Sequence, residues 1–209
     1  MKGSDVMPWP MIHFLIADKL FDNQPPPSYL LGSIAPDAVT LRENEPTAKL
    51  KSHLFDISHR STDHLIDFYR QTVRLNKQDQ DFKLFVSGYI SHIIADISWA
   101  KIKKAVSQYD KSLKQILWRE EIQMDFQLFR QASQHERLPT EVDKSDLYEL
   151  EGLYTRSELT KFRKHVFDWL HNPANEPGVA LIYITPALVE SFVPQAADEL
   201  KHFFDRLHE

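Results

Sequence analysis

The stretch Leu84–Trp99, LFVSGYISHIIADISW, limits what this chain can fold into more than any other part of it. It is apolar almost throughout and is interrupted by one histidine and one aspartate, His92 and Asp96. Spaced i, i+4, the two stand one above the other on a helix, with Cβ atoms about 5–6 Å apart. Ile90, Ile93, Ile94 and Ile97 flank them on the other faces, so the helix is enclosed on most sides. A carboxylate in that setting needs a cation, a histidine or several donors. Gly88 lies one turn before His92. Glycine inside a helix costs roughly 1 kcal/mol against alanine, and the close approach of another backbone would explain it. The His92–Asp96 pair can close on one metal ion or one catalytic water. It can equally be a histidine hydrogen-bonded to its helix neighbour.

An enclosed helix needs others around it, and the flanking chain supplies them. Pro10–Phe21 carries apolar residues near the helical period, with His13 among them. Pro25–Pro27 end that segment, and Ser28 can cap a short helix through Leu31. Pro36 blocks continuation, which leaves Asp37 in a turn, as an Asx turn, an N-cap or a ligand. Residues 40–50 are polar and predict a surface loop, after which His53 stands beside Leu54 and Phe55, near the core. A helix opens at Ser61 or Thr62; His59 and His64 fall near it and are taken as surface residues or outer supports. The central helix starts at Asp79 or Asp81 and runs to about Val106, and another spans Leu113–Ala132. Asp125 on the latter is either solvated and paired with Arg130 or an additional metal ligand. Residues 133–145 look like a surface linker. Helices are expected over about 146–153 and 157–171, with a C-terminal one broken at Pro194, and 178–184, GVALIYI, as extended loop. The expectation is an all-α, single-domain bundle of about seven helices over the whole chain.

Composition narrows the function. The chain has 209 residues and 42% hydrophobic content, enough for one sizeable core. With 5 glycines and neither GxGxxG nor GxxxxGK[ST], a glycine-rich nucleotide fold is disfavoured. A net charge of −5 argues against a general nucleic-acid-binding surface. There is no cysteine, so any metal must be held by nitrogen and oxygen. The opening MKGSDVMPWP lacks the apolar core of a signal peptide, and no run is apolar enough to span a membrane, so a cytoplasmic protein is expected.

His13, Asp37, His53, His92 and Asp96 together offer three imidazoles and two carboxylates. That is ligand chemistry for Zn²⁺ or another borderline divalent ion, whose bound water can lose a proton near neutral pH. Their order resembles the zinc-dependent phospholipase C family, related to the single-strand-specific zinc nucleases. The resemblance lies in the helix histidine His13, YLLGSIAPDAV with Asp37, KSHLF with His53, and GYISHIIADISW with His92 and Asp96, and covers about residues 8–100. It implies an all-α metallohydrolase of phosphate esters. It implies one full zinc site from Asp37, His53, His92 and Asp96, with Asp96 bridging to a second ion that His13 also ligates. In secreted members the amine of an N-terminal tryptophan completes that second site; Trp9 is not terminal here. The family's third set, a downstream His…His…Glu with another HxxxE, is not matched, so one or two ions are expected. The resulting expectation is a phosphodiesterase-like hydrolase of a small-molecule or lipid phosphate ester, with Asp37 or Asp96 taking the proton. The alternative is a metal-binding or regulatory helical protein that keeps the scaffold without turnover. Phosphohydrolases of the HD type need adjacent His-Asp, and this chain has only the reverse, Asp63–His64.

Overall fold

The computed structural model describes residues 10–43, 45, 47–55, 62–74, 79–108, 110–131 and 134–207. The described residues form an all-α fold: α1 Pro10–Leu20, α2 Pro27–Gly32, a 3-10 helix Ala35–Leu41, α3 Ala48–Ser52, α4 Thr62–Arg74, α5 Gln80–Ser107, α6 Lys114–Arg130, α7 Gln134–Asp143, α8 Arg156–His171 and α9 Pro186–Asp205, with short 3-10 turns at Lys111–Leu113 and Pro173–Asn175. Among them there is no strand, only an isolated bridge between Leu150 and Tyr154.

The expected central helix is α5, 28 residues long, opened by the Asp79 carboxylate accepting Phe82 N–H and closed by Gln108 in a left-handed conformation. Phe82, Phe85, Val86 and the run Gly88–Ala95 are buried on it, which leaves only Gln80, Asp81, Lys83, Leu84 and Ser87 open to solvent in its first half. Gly88 has the role its position predicts. A Cβ there would lie 2.2 Å from the Tyr29 carbonyl oxygen, and a Cβ on Gly32 would lie 2.1 Å from that of Phe85. The backbones of α2 and α5 therefore touch at two facing glycines. Around this contact α1 packs on α9, α4 lies along α5, and α8 covers the 3-10 helix.

Several sequence expectations change. Most of the stretch expected as a surface linker, 133–145, is helix: α7 occupies Gln134–Asp143. Leu138 and Val142 are fully buried, one turn apart, and Arg137 pairs with Asp18 at 2.7 Å. Two apolar residues one turn apart suffice when the rest of the core is close by. The helix expected over 146–153 is absent: Gly152 takes a positive φ of 76° in a turn closed by the Leu150–Tyr154 bridge. Pro194 does not break α9, because Val189, Phe192, Ala196, Ala197, Leu200 and Phe203 bury one continuous face, outweighing roughly 3 kcal/mol for an internal proline. Ser28 lies inside α2, with Pro27 opening it. The polar stretch 40–50 holds the end of the 3-10 helix and the start of α3 rather than loop alone. The 178–184 segment is extended loop, as expected; the Glu120 carboxylate accepts the N–H groups of Tyr183 and Ile184, at 2.7 and 2.8 Å, that a partner strand would otherwise take.

Candidate metal centre

Four elements bring five side chains together. His13 comes from α1, Asp37 from the 3-10 helix, His53 from the end of α3, and His92 and Asp96 from α5. Asp37 is at hand because Pro36 opens the 3-10 turn beneath α2. His53 follows the last turn of α3, where its Nδ1 lies 3.0 Å from Lys49 O and 3.2 Å from Ser52 Oγ. The His92 Nδ1 lies 2.8 Å from Ser33 O, the residue just past the glycine contact. A carbonyl only accepts, so each Nδ1 carries the hydrogen and each Nε2 faces the cluster.

The two Nε2 atoms stand 3.1 Å apart. Asp96 Oδ2 is 3.4 Å from both, and the Asp37 carboxylate oxygens are 3.6 Å from each. Four donors bound tetrahedrally at about 2.0–2.1 Å have edges of about 3.3 Å, and these separations are close to that. The other Asp96 oxygen, Oδ1, faces His13 Nε2 at 3.5 Å. His13 Nε2 and Asp37 Oδ1 are buried and make no hydrogen bond, although Lys49 Nζ is 2.9 Å from the latter. Two groups of three can each hold an ion: His13, His92 and Asp96, and Asp37, His53 and His92. The residues present therefore fit zinc.

Electrostatics agree. Burial, aided by the charge of His92, lowers His13 to about 4, keeping it neutral and able to bind metal. Burial also pushes His92 down, but Asp96 and Asp37 pull it up further, to above its ordinary value. Burial would raise both carboxyls; for Asp37 it is overcome by Lys49, His92 and His53, and for Asp96 by His92 and its hydrogen-bonding neighbours, so both lie below the usual range. Asp37 is 1% exposed and Asp96 36%, which makes Asp96 the open edge.

Asp125 does not join these residues. Its carboxylate accepts Met11 N–H at 3.3 Å at the start of α1, and Arg130 pairs with Glu176 instead. His64 is exposed on α4, and His59 and Trp9 lie outside the described residues. Sequence reasoning missed Lys49 and Glu121. The available signals were Lys49 four residues before His53, at helical spacing, and Glu121 among the apolar residues of α6.

The description "zinc dependent phospholipase C" matches residues 11–170, well over half of the chain. The chain belongs to that family. Membership of the zinc-dependent phospholipase C family extends past the first hundred residues, through α6 and α7 to the end of α8, farther than the motifs alone reached. Neither the curated proteins nor the solved structures compared with it contain a match. The zinc dependence of the family accords with a donor set of imidazole and carboxylate alone.

Proposed function

We propose that this protein is a zinc-dependent hydrolase of phosphate esters, with a lipid phosphate ester as the family-based first choice of substrate. The observation that carries it is the pair of Nε2 atoms 3.1 Å apart, each with its Nδ1 against a carbonyl and two carboxylates closing the set. Such a set of acceptors calls for a shared positive partner, and a metal ion meets all of them at once. In this reading Asp37, His53, His92 and Asp96 hold one ion, and Asp96 and His13 hold a second.

A bound zinc ion supplies Lewis acidity and a water acidic enough to deprotonate near neutral pH. The chain supplies the rest. Ser33 O and Lys49 O orient the imidazoles through their Nδ1 hydrogens. Asp37, buried and held by Lys49, is a fixed anchor. Asp96, more open and with one oxygen toward His13 and the other toward His53 and His92, links the two parts of the cluster. Cytoplasmic residence belongs to this reading on sequence grounds; no helix among the described residues is long and apolar enough to cross a membrane.

Asp96→Asn tests the whole. It keeps volume but removes the shared charge. Bound zinc should drop, and hydrolysis of a generic phosphodiester or phosphomonoester should fall by at least about 10². Zinc-loaded wild type without turnover on a broad phosphoester panel would move the protein to the scaffold alternative.

A further inference from the structure

The polar face of α5 continues past Asp96. Trp99 and Lys103 follow at i+3 and i+7, on the same stripe. Helical side chains lean toward the N-terminus, so the Lys103 stem runs back along this face. Its Nζ lies 2.8 Å from Glu121 Oε1, the oxygen that also accepts the Trp99 indole N–H at 3.1 Å. Glu121 is 5% exposed, and its burial raises its carboxyl above the ordinary range despite Lys103. Lys49 stands 2.9 Å from Asp37 Oδ1. Lys103 thus stands on the Asp96 face of α5 and Lys49 beside an Asp37 oxygen, each paired with a buried carboxylate. Lys49 is 31% exposed and Lys103 36%, so both side chains are partly open to solvent. An ammonium has three N–H donors, and one carboxylate contact leaves others for a ligand.

We propose that Lys49 and Lys103 are substrate-binding residues that take the non-reacting oxygens of a phosphoryl group at the mouth of the His/Asp cluster. The proposal rests on the phosphoester reading above and adds which of the chain's own cations recognise the anion. A lysine suits this as a compact charge that its carboxylate holds in place before the ligand arrives.

The test uses zinc-loaded wild type, Lys49→Met, Lys103→Met and Lys49→Arg. Bound zinc is counted by atomic absorption. Inorganic phosphate and glycerophosphocholine are titrated in separate calorimetric arms. Zinc content should match wild type in Lys103→Met; because Lys49 also pairs with Asp37, phosphate affinity in the Lys49 variants is compared per bound zinc. Phosphate affinity should fall about tenfold or more in Lys49→Met, fall to a lesser degree in Lys103→Met, and largely return in Lys49→Arg. The arm with the larger loss tells whether the lysines read a phosphate dianion or the diester of a headgroup. A measurement independent of folding is mild acetylation of the wild type, in which phosphate should protect Lys49, read by mass spectrometry. Full zinc with phosphate affinities within about twofold of wild type, or no protection of Lys49, overturns the lysine proposal and leaves the hydrolase reading standing. A wild type that takes up no zinc overturns both.

Discussion

Gly88 shows how one residue decides the geometry of a site it never touches. Its missing Cβ lets the Tyr29 carbonyl approach the α5 backbone, and Ser33, immediately beyond Gly32 in α2, then presents its own carbonyl to His92 Nδ1. The tautomer of His92, and so its usefulness as a ligand, depends on that contact. Gly88→Ala should push α2 off α5, since backbone atoms at 2.2 Å have no flexible end to yield. The expected cost is about 2–3 kcal/mol, seen as a melting temperature roughly 5–10 °C lower, with weaker zinc uptake. A variant that melts with wild type and holds zinc as well would show that the crossing is looser than drawn. His53 makes the same point from the other side, because its Nδ1 depends on Lys49 O in a stretch whose polarity gave no sign of order.

At the scale of elements, α8 is tied to the 3-10 helix by a bidentate pair. Arg42 Nε reaches Glu158 Oε1 at 2.6 Å and Nη2 reaches Oε2 at 3.1 Å, while Nη2 also donates to Leu153 O. Glu158 is at the same time the N3 residue of a capping box with Thr155. Its Arg42 hydrogen bond, above all, lowers its carboxyl to about 2 from an ordinary 4.5. A carboxyl depressed on folding stabilises fully above its unfolded value and loses that contribution as pH falls through the folded one. Glu158→Gln keeps the capping geometry and removes the charge. Urea denaturation should therefore show wild type about 1 kcal/mol more stable at pH 6, after allowance for screening on the solvent side, with the gap closing between about pH 4.5 and pH 2. A gap that holds constant down that range would assign the effect to packing instead.

For the whole molecule, the proposed metal centre would act as a staple. Its candidate ligands lie between positions 13 and 96 and on four separate elements, so the two ions proposed there would tie α1, the 3-10 helix, α3 and α5 together. Chelation should lower the melting temperature and zinc should restore it. Zinc at about 100 times its Kd contributes about 2.7 kcal/mol, or roughly 5–10 °C for a domain of this size. Identical melting with saturating chelator and with zinc would leave the centre without a structural role. The fold class was legible from sequence because a 16-residue apolar run at helical period, scarce glycine and repeated amphipathic segments all favour packed helices over strands. The five clustered residues stood out for a related reason: histidines and carboxylates are costly among apolar neighbours, so each needs a partner there. Other features depended on distant contacts. Leu138 and Val142 make α7 a helix only because a core lies beneath them, and Pro194 sits within α9 only because that helix buries a whole face. Asp125 was a candidate additional ligand by its helical setting, yet its carboxylate goes to Met11 N–H. Lys49 gained meaning only when α3 brought it to Asp37, and Glu121 when α6 brought it to Lys103 and Trp99. Sequence alone determined the helical period and the chemistry of the available ligands, because both follow from residue type and local spacing. The tertiary structure decided which of those ligands meet, because carbonyls, glycine contacts and ion pairs act between residues far apart in the chain.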